Sequence, residues 1–373
     1  MNDPVVLFET LQTASGHVFG RATLNDPDSL NAVSVAMISL LEPQLAKWAA
    51  DPRVAGVFLD ARGERAFSAG GDVVGLYNAM KDADPGNVPA YAADFFEREY
   101  RLDHQIHRYP KPVLAWAHGI VMGGGLGLMI GASHRVGTER TRMAMPEISI
   151  GLFPDVGGSW LLPRLPGRSG LFLALTGSAL GAADARFAGM LDFVLPHASQ
   201  SAVLQAIAAT SWQGNHDDDA AALTHLLQRL HQDMELPPSM LRMHWDRIDA
   251  AIGHDRLQDV APRLSTLAED PDPWLARAGA TFKRGSPTSI ALAWEMQRRA
   301  RHLSLADAFR LEWQAAVGCC MHHDFPEGAR ALLIDKDKNP RWRPATLDAV
   351  TPELVAAHLR PRFDGAHPLA DLA

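Results

Sequence analysis

A chain of 373 residues, 47% hydrophobic and 21% charged, carries enough apolar material for one large domain or two ordinary ones. Its net charge of −8 argues against a nucleic-acid surface, and no run of about 18 apolar residues reads as a membrane span. The two cysteines, adjacent at Cys319 and Cys320, make no disulfide framework, and the start MNDPVVLFET has the order of neither a signal nor a transit peptide, so a cytoplasmic protein is expected.

In chain order, VVLFETL and HVFGRATLN read as a strand hairpin around TASG, where Gly16 can turn the chain. Ser34 to about Ala50 has the apolar spacing of a helix. GVFLDARG and PVLAWAHG are β-rich runs, and HRVGTE and LDFVLP are shorter ones. Strands separated by helical stretches predict βαβ units. Helical patterns dominate beyond about residue 200. Ser286-Pro287 reads as a helix start with Ser as N-cap, and Ser304 with Asp307 as another, running through LEWQAAVGCC. The segment Lys336 to Pro344 reads as a loop. The expected division is an α/β core over residues 1–205 and a mostly helical region over 206–373.

Three segments can carry chemistry. In AFSAGGDVVGLY, residues 66–77, a strand leads to Gly70-Gly71-Asp72 and then a helix. Free backbone N–H groups there suit a phosphate or a developing oxyanion. The bland alternative is a tight turn with Asp72 as N-cap. In HGIVMGGGLGLMIGA, residues 118–132, three glycines at 123–125 again precede a helix. Leu128 and Ile130 break the G-x-G-x-x-G pattern and no Lys-Ser/Thr follows, which removes dinucleotide and nucleoside-triphosphate sites. Either this turn allows close packing or it supplies a second N–H donor. Two such turns can converge on one carbonyl oxygen. In MPEISIGLFPDVGG, residues 145–158, Glu147 and Asp155 each follow a proline in an apolar run. Asp155 reads equally as a turn residue or a reactive acid, whereas Glu147 is the better candidate for a perturbed pKa and acid–base or nucleophilic work. No G-x-S-x-G elbow occurs, and His322-His323-Asp324 beside the cysteines matches no standard zinc spacing, so no metal is expected.

Together these segments, with ATLNDPDSLNAVSVAM at residues 22–37, resemble the enoyl-CoA hydratase/isomerase superfamily. The resemblance implies the crotonase (ClpP-like) fold of repeated ββα units, followed by the mostly helical C-terminal region. Within the superfamily the chain is most similar to the hydrolases of 3-hydroxyisobutyryl-CoA. Gly127 stands where hydratases carry a catalytic glutamate, Asp155 where they usually have glycine, and CMHHDFPEGARALLIDKDKNPRWRP, residues 320–344, is similar to the hydrolase tail. Asp26 and Asp28 depart from the family by standing where Arg and Lys are common. That leaves the basic contacts of the CoA phosphates unassigned, with Arg62 and Arg65 as candidates.

The resemblance implies hydrolysis of a short 3-hydroxyacyl-CoA thioester, 3-hydroxyisobutyryl- or 3-hydroxypropionyl-CoA, as in valine breakdown. Gly71 and Gly124 would supply the oxyanion hole, Glu147 the main catalytic carboxylate, Asp155 the second, and Glu99 in FFEREYRL a further substrate-site acid. Gly70, Asp72 and Gly123 would line the substrate. Coenzyme A is part of the substrate, so no separate cofactor is expected. Monomer, dimer and trimer are all open, with a homo-oligomer permitted. The alternatives are an enoyl-CoA hydratase or isomerase, which the missing carboxylate at Gly127 disfavours, and a non-catalytic acyl-CoA-binding protein, which the intact acids disfavour.

Overall fold

The computed structural model describes residues 3–84 and 86–373. The chain forms two compact units whose segments alternate along the sequence. The first takes residues up to Gly71, Leu102–Met143 and Leu180–Ser239; the second takes Asp72–Arg101, Ala144–Ala179 and Met240–Ala373.

The strands in chain order are β1 (Val6–Gln12), β2 (Val18–Leu24), β3 (Val54–Ala61), β4 (Ala66–Ser68), β5 (Val113–Ala117), β6 (Ile120–Met122), β7 (His134–Gly137), β8 (Arg142–Ala144), β9 (Leu180–Gly181) and β10 (Phe193–Val194). One sheet has the order β1-β2-β3-β5-β7-β10, the other β4-β6-β8-β9. β1 and β2 form the expected antiparallel hairpin, with Val6 opposite Leu24 and Gln12 opposite Val18. Gly16 turns it at φ +84°, a left-handed conformation glycine adopts without a steric penalty. From β2 onward the first sheet is parallel. Every residue of β3 and β5 is buried, which is why they read as continuous apolar runs rather than alternating ones.

Cover for this sheet comes partly from the helices Gln200–Ala209 and His216–Leu230. Their Val203, Ile207, Leu223, Leu226 and Leu227 share one apolar cluster with Phe19, Phe58 and Trp116 of the strands. Trp212 between the two helices packs on Phe19 at a ring distance of 4.6 Å. The expected division at residue 205 therefore needs revision. That position lies inside the Gln200–Ala209 helix, and the first unit runs on to Ser239 because the sheet needs those apolar side chains over it. The helix Val35–Ala50 starts where expected, with the Ser34 hydroxyl accepting from the Met37 amide at 3.2 Å.

The second unit is largely helical. Ser286 and Ser304 cap the helices Pro287–Ala300 and Leu305–Cys320, accepting from the amides of Ser289 and Asp307 at 3.0 Å each. Two glycines let other segments approach main chain closely. A Cβ on Gly151 would lie 2.2 Å from the Asp324 carbonyl oxygen, and one on Gly328 would lie 2.2 Å from that of Ile150. The segment around Glu147 thus rests directly on the backbone of the Asp324–Ala329 helix. The segment 336–342 has no regular structure, as its composition predicts.

Candidate active site

In the first unit, two strand–turn–helix passages lie side by side. β4 and β6 pair in parallel, with Ala66 opposite Ile120 and Ser68 opposite Val121, so the turns that follow them are neighbours. The Gly70 carbonyl accepts from the Val33 amide at 2.7 Å, and Gly70 sits at φ +124°, which a side chain would strain. Gly123, at φ +46°, precedes the helix Gly124–Ile130. As the first residue of that helix, Gly124 has an amide that the helix itself leaves without a partner. A Cβ on Gly125 would lie 2.4 Å from the Ser68 carbonyl oxygen, so the second turn can approach the first only without a side chain there. The turn that holds Gly70 and Gly71 therefore lies beside the turn that holds Gly123 and Gly124. The structure also places Arg62 beside Asn25, donating to its side-chain oxygen at 3.1 Å.

The second unit holds the acids. Asp72 caps the helix Val73–Asp82, its carboxylate accepting from the Gly75 amide at 2.9 Å, so the capping alternative describes its side chain. Glu147 opens a short 3-10 turn, Glu147–Ser149, behind Pro146. It is 4% exposed, and its Oε2 has no hydrogen-bond partner among the described residues. Burial, then the nearby charge of Asp155, holds its carboxyl well above the ordinary range. Asp155, also 4% exposed, accepts from the Tyr100 hydroxyl at 2.7 Å. Burial pushes its carboxyl up to about 6, against the pull of the Tyr100 bond. Glu99 is buried on the helix Ala90–His107, one residue before Tyr100.

Two members of this cluster escaped the sequence reading, Tyr100 and Glu312. Glu312 is fully buried on the Leu305–Cys320 helix and accepts from the amides of Gly157 and Ser159, one on each carboxylate oxygen, both at 2.8 Å. Burial and then Asp155 push it up to about 8. The sequence did hold a signal. Phe309, Glu312, Trp313 and Ala316 share one helical face at spacings of three and four, so an acid stands in an apolar stripe. The loop between these acids is itself unusual. Val156 at φ +51° and Gly157 at φ +84° are consecutive left-handed residues, and a β-branched residue there is held at a cost of about 1–3 kcal/mol.

The His322-His323-Asp324 cluster is engaged structurally. His322 Nδ1 contacts the Gly318 carbonyl oxygen at 2.6 Å, His323 Nε2 that of Arg341 at 2.9 Å, and Asp324 accepts from Ser286 at 2.6 Å. Among the described residues no group of three or more His, Cys, Asp or Glu side chains is arranged to hold a metal ion.

Chemically, the first unit offers paired backbone donors of the kind that stabilise an oxyanion, and the second a buried carboxyl pair of raised pKa. The chain is similar to known proteins over most of its length. A 3-hydroxyisobutyryl-CoA hydrolase, mitochondrial, of Gallus gallus is 38% identical over 343 residues, 92% of this chain and 86% of that protein. The protein of the same name from Homo sapiens is 34% identical over 343 residues, 91% of this chain and 86% of its own length. The crystal structure of a carnitinyl-CoA dehydratase from Mycobacterium thermoresistibile is similar with a TM-score of 0.84 at 36% identity, covering 96% of this chain and 97% of that one. An enoyl-CoA hydratase from Rhodobacter sphaeroides 2.4.1 gives 0.81 at 37% identity, with the same coverage of 96% and 97%. The strand pairs followed by helices are the repeated ββα units of the expected crotonase fold, followed by helices toward the C-terminus. With residues 19–359 also matching the enoyl-CoA hydratase/isomerase family throughout, the chain belongs to that family, and an acyl-CoA is its substrate class.

Proposed function

We propose that the protein hydrolyses short 3-hydroxyacyl-CoA thioesters, with 3-hydroxyisobutyryl-CoA as the leading substrate, to the free hydroxy acid and CoA. The observation that carries this reading is the buried pair of Glu147 and Asp155, with Glu147 Oε2 unengaged and Asp155 held by Tyr100. The relatives named 3-hydroxyisobutyryl-CoA hydrolase support the choice of acyl group. 3-Hydroxypropionyl-CoA differs by one methyl group, which discriminates by only about 1–3 kcal/mol.

In this reading the amides of Gly71 and Gly124 receive the thioester carbonyl oxygen as charge builds on it. Ionised Glu147 places an oxygen on the carbonyl carbon, or takes a proton from a water that attacks there. The C–S bond breaks and CoA leaves as a thiolate that gains a proton. In the first route, water then opens the mixed anhydride and regenerates Glu147. Asp155 binds the substrate hydroxyl or guides protons, and Glu99 adds a further acid to the substrate site. A raised pKa makes Glu147 a stronger base and nucleophile once ionised. The scheme uses no metal and no cofactor beyond the CoA of the substrate. Free, buried Cys319 and Cys320 fit a reducing compartment, which supports a cytoplasmic protein in this reading, as a monomer or homo-oligomer.

Thiol release from 3-hydroxyisobutyryl-CoA and 3-hydroxypropionyl-CoA, lost in Glu147→Gln, is the expected outcome with a colorimetric disulfide reagent. In single turnovers in labelled water, oxygen-18 appearing in Glu147 supports the anhydride route, and its absence supports the direct-water route. A second reading, enoyl-CoA hydration, is favoured by the names of the two similar solved structures. Against it, position 127 is a buried glycine within the Gly124–Ile130 helix, where hydratases carry a second glutamate. Loss of the crotonyl-CoA enoyl absorbance without thiol release would establish hydration instead.

A further inference from the structure

Glu312 is costly where it stands. It is fully buried, it forms no ion pair among the described residues, and its nearest charged company is Asp155. A neutral or apolar side chain is the cheaper structural solution for such a position. What a carboxylate alone provides is two acceptor oxygens in one plane, and both are used. One takes the amide of Gly157 and the other the amide of Ser159, at 2.8 Å each. These amides lie two and four residues beyond Asp155, in a loop where Val156 and Gly157 are both left-handed. The Gly158 amide between them turns instead to the Asp155 carbonyl oxygen, at 2.6 Å. The acceptor for both flanking amides is a side chain of the Leu305–Cys320 helix. On its other side Asp155 is held by the Tyr100 hydroxyl at 2.7 Å, and Tyr100 is itself fixed against Phe309 of the same helix, with ring centroids 5.6 Å apart. One helix therefore fixes both the backbone that carries Asp155 and the phenol that holds its carboxylate.

We infer that Glu312 and Tyr100 are positioning residues that together aim the Asp155 carboxylate, Glu312 through the amides of Gly157 and Ser159 and Tyr100 through its hydroxyl. This rests on the role assigned to Asp155 above. Neither residue touches substrate in the scheme; both act through Asp155.

The test is a pair of double-mutant cycles on the full-length protein, read as kcat and KM for thiol release from 3-hydroxyisobutyryl-CoA. The singles are Asp155→Asn, Glu312→Gln and Tyr100→Phe, and the doubles combine each of the last two with Asp155→Asn. A misaimed group costs about 10- to 100-fold, so Glu312→Gln and Tyr100→Phe each lower kcat by that factor with KM within about twofold. In the Asp155→Asn background neither causes a further loss. Losses that multiply in that background overturn the inference, because residues acting only on general stability lower activity whatever stands at position 155. Full activity in Asp155→Asn alone overturns the role of Asp155 itself, and the inference with it. Should Glu312→Gln fail to fold, Tyr100→Phe carries the cycle.

A carboxyl-carbon NMR titration provides a readout that needs no substrate and survives failure of the hydrolase assignment. The groups facing Asp155 are Tyr100 from its helix, Glu147 from its turn, and Glu312, Cys319 and Cys320 from the Leu305–Cys320 helix. The Tyr100 bond favours the ionised form of Asp155, so Tyr100→Phe moves its titration upward from about 6. An unmoved titration means that the phenol does not hold the carboxylate, and overturns the inference.

Discussion

Gly125→Ala tests the paired turns most directly. The added Cβ would lie 2.4 Å from the Ser68 carbonyl oxygen, 2.7 Å from its Cβ and 2.8 Å from its hydroxyl. All three atoms belong to Ser68 of β4, and its carbonyl oxygen and Cβ cannot swing away, so the turn must retreat by about 1 Å to reach ordinary contact. Gly125 follows Gly124, so the retreat displaces the proposed donor amide by a similar distance. A 1 Å misplacement costs about 100-fold in rate, which is about 2.7 kcal/mol of barrier. Overpacking adds a further loss of about 1–3 kcal/mol in stability. The expected result is kcat for thiol release down about 100-fold, with a lower thermal midpoint but an intact fold by circular dichroism. Gly181→Ala is the control, because a Cβ there meets nothing closer than Asp184 Oδ2 at 3.9 Å, and it changes neither quantity. A folded Gly125→Ala protein with kcat within twofold of the parent would refute the reasoning, since the Gly124 amide would then not be needed where the structure puts it.

Burial holds Asp155 at about 6 and Glu147 well above the ordinary carboxyl range, so kcat/KM should fall as pH drops through these values, and Asp155→Asn should remove the Asp155 part of the acid limb and leave that of Glu147. Glu312 has a folded-state pKa of about 8 against an ordinary 4.5, so the stability it contributes is complete below about 4.5 and is lost as pH rises toward 8. Thermal midpoints measured across that window should decline with pH, and Glu312→Gln should flatten the decline; a parallel curve in the variant would contradict the shift. Trp212, 1% exposed between two helices and tilted against Phe19, should cost about 3–5 kcal/mol when replaced by Ala, read by denaturant unfolding. A loss under about 1 kcal/mol would mean that the helices around it do not cover the sheet as described.

Much of the framework was legible in the sequence because it is local. The hairpin at Gly16, the Ser34, Ser286 and Ser304 caps, and the buried runs of β3 and β5 all follow from side chains acting within a few residues of themselves. The two glycine-rich turns and the proline-flanked acids Glu147 and Asp155 were visible for the same reason. Tertiary structure alone decided what lies far apart along the chain. It brought Glu312 to amides more than 150 residues away and Tyr100 to Asp155 across 55. It assigned the helices after residue 200 to the sheet, against a division at 205, because burying their apolar faces over Phe19 and Trp116 outweighs continuity along the chain. It also set the protonation of the acids, since desolvation depends on what surrounds a carboxyl in space and not on its neighbours in sequence.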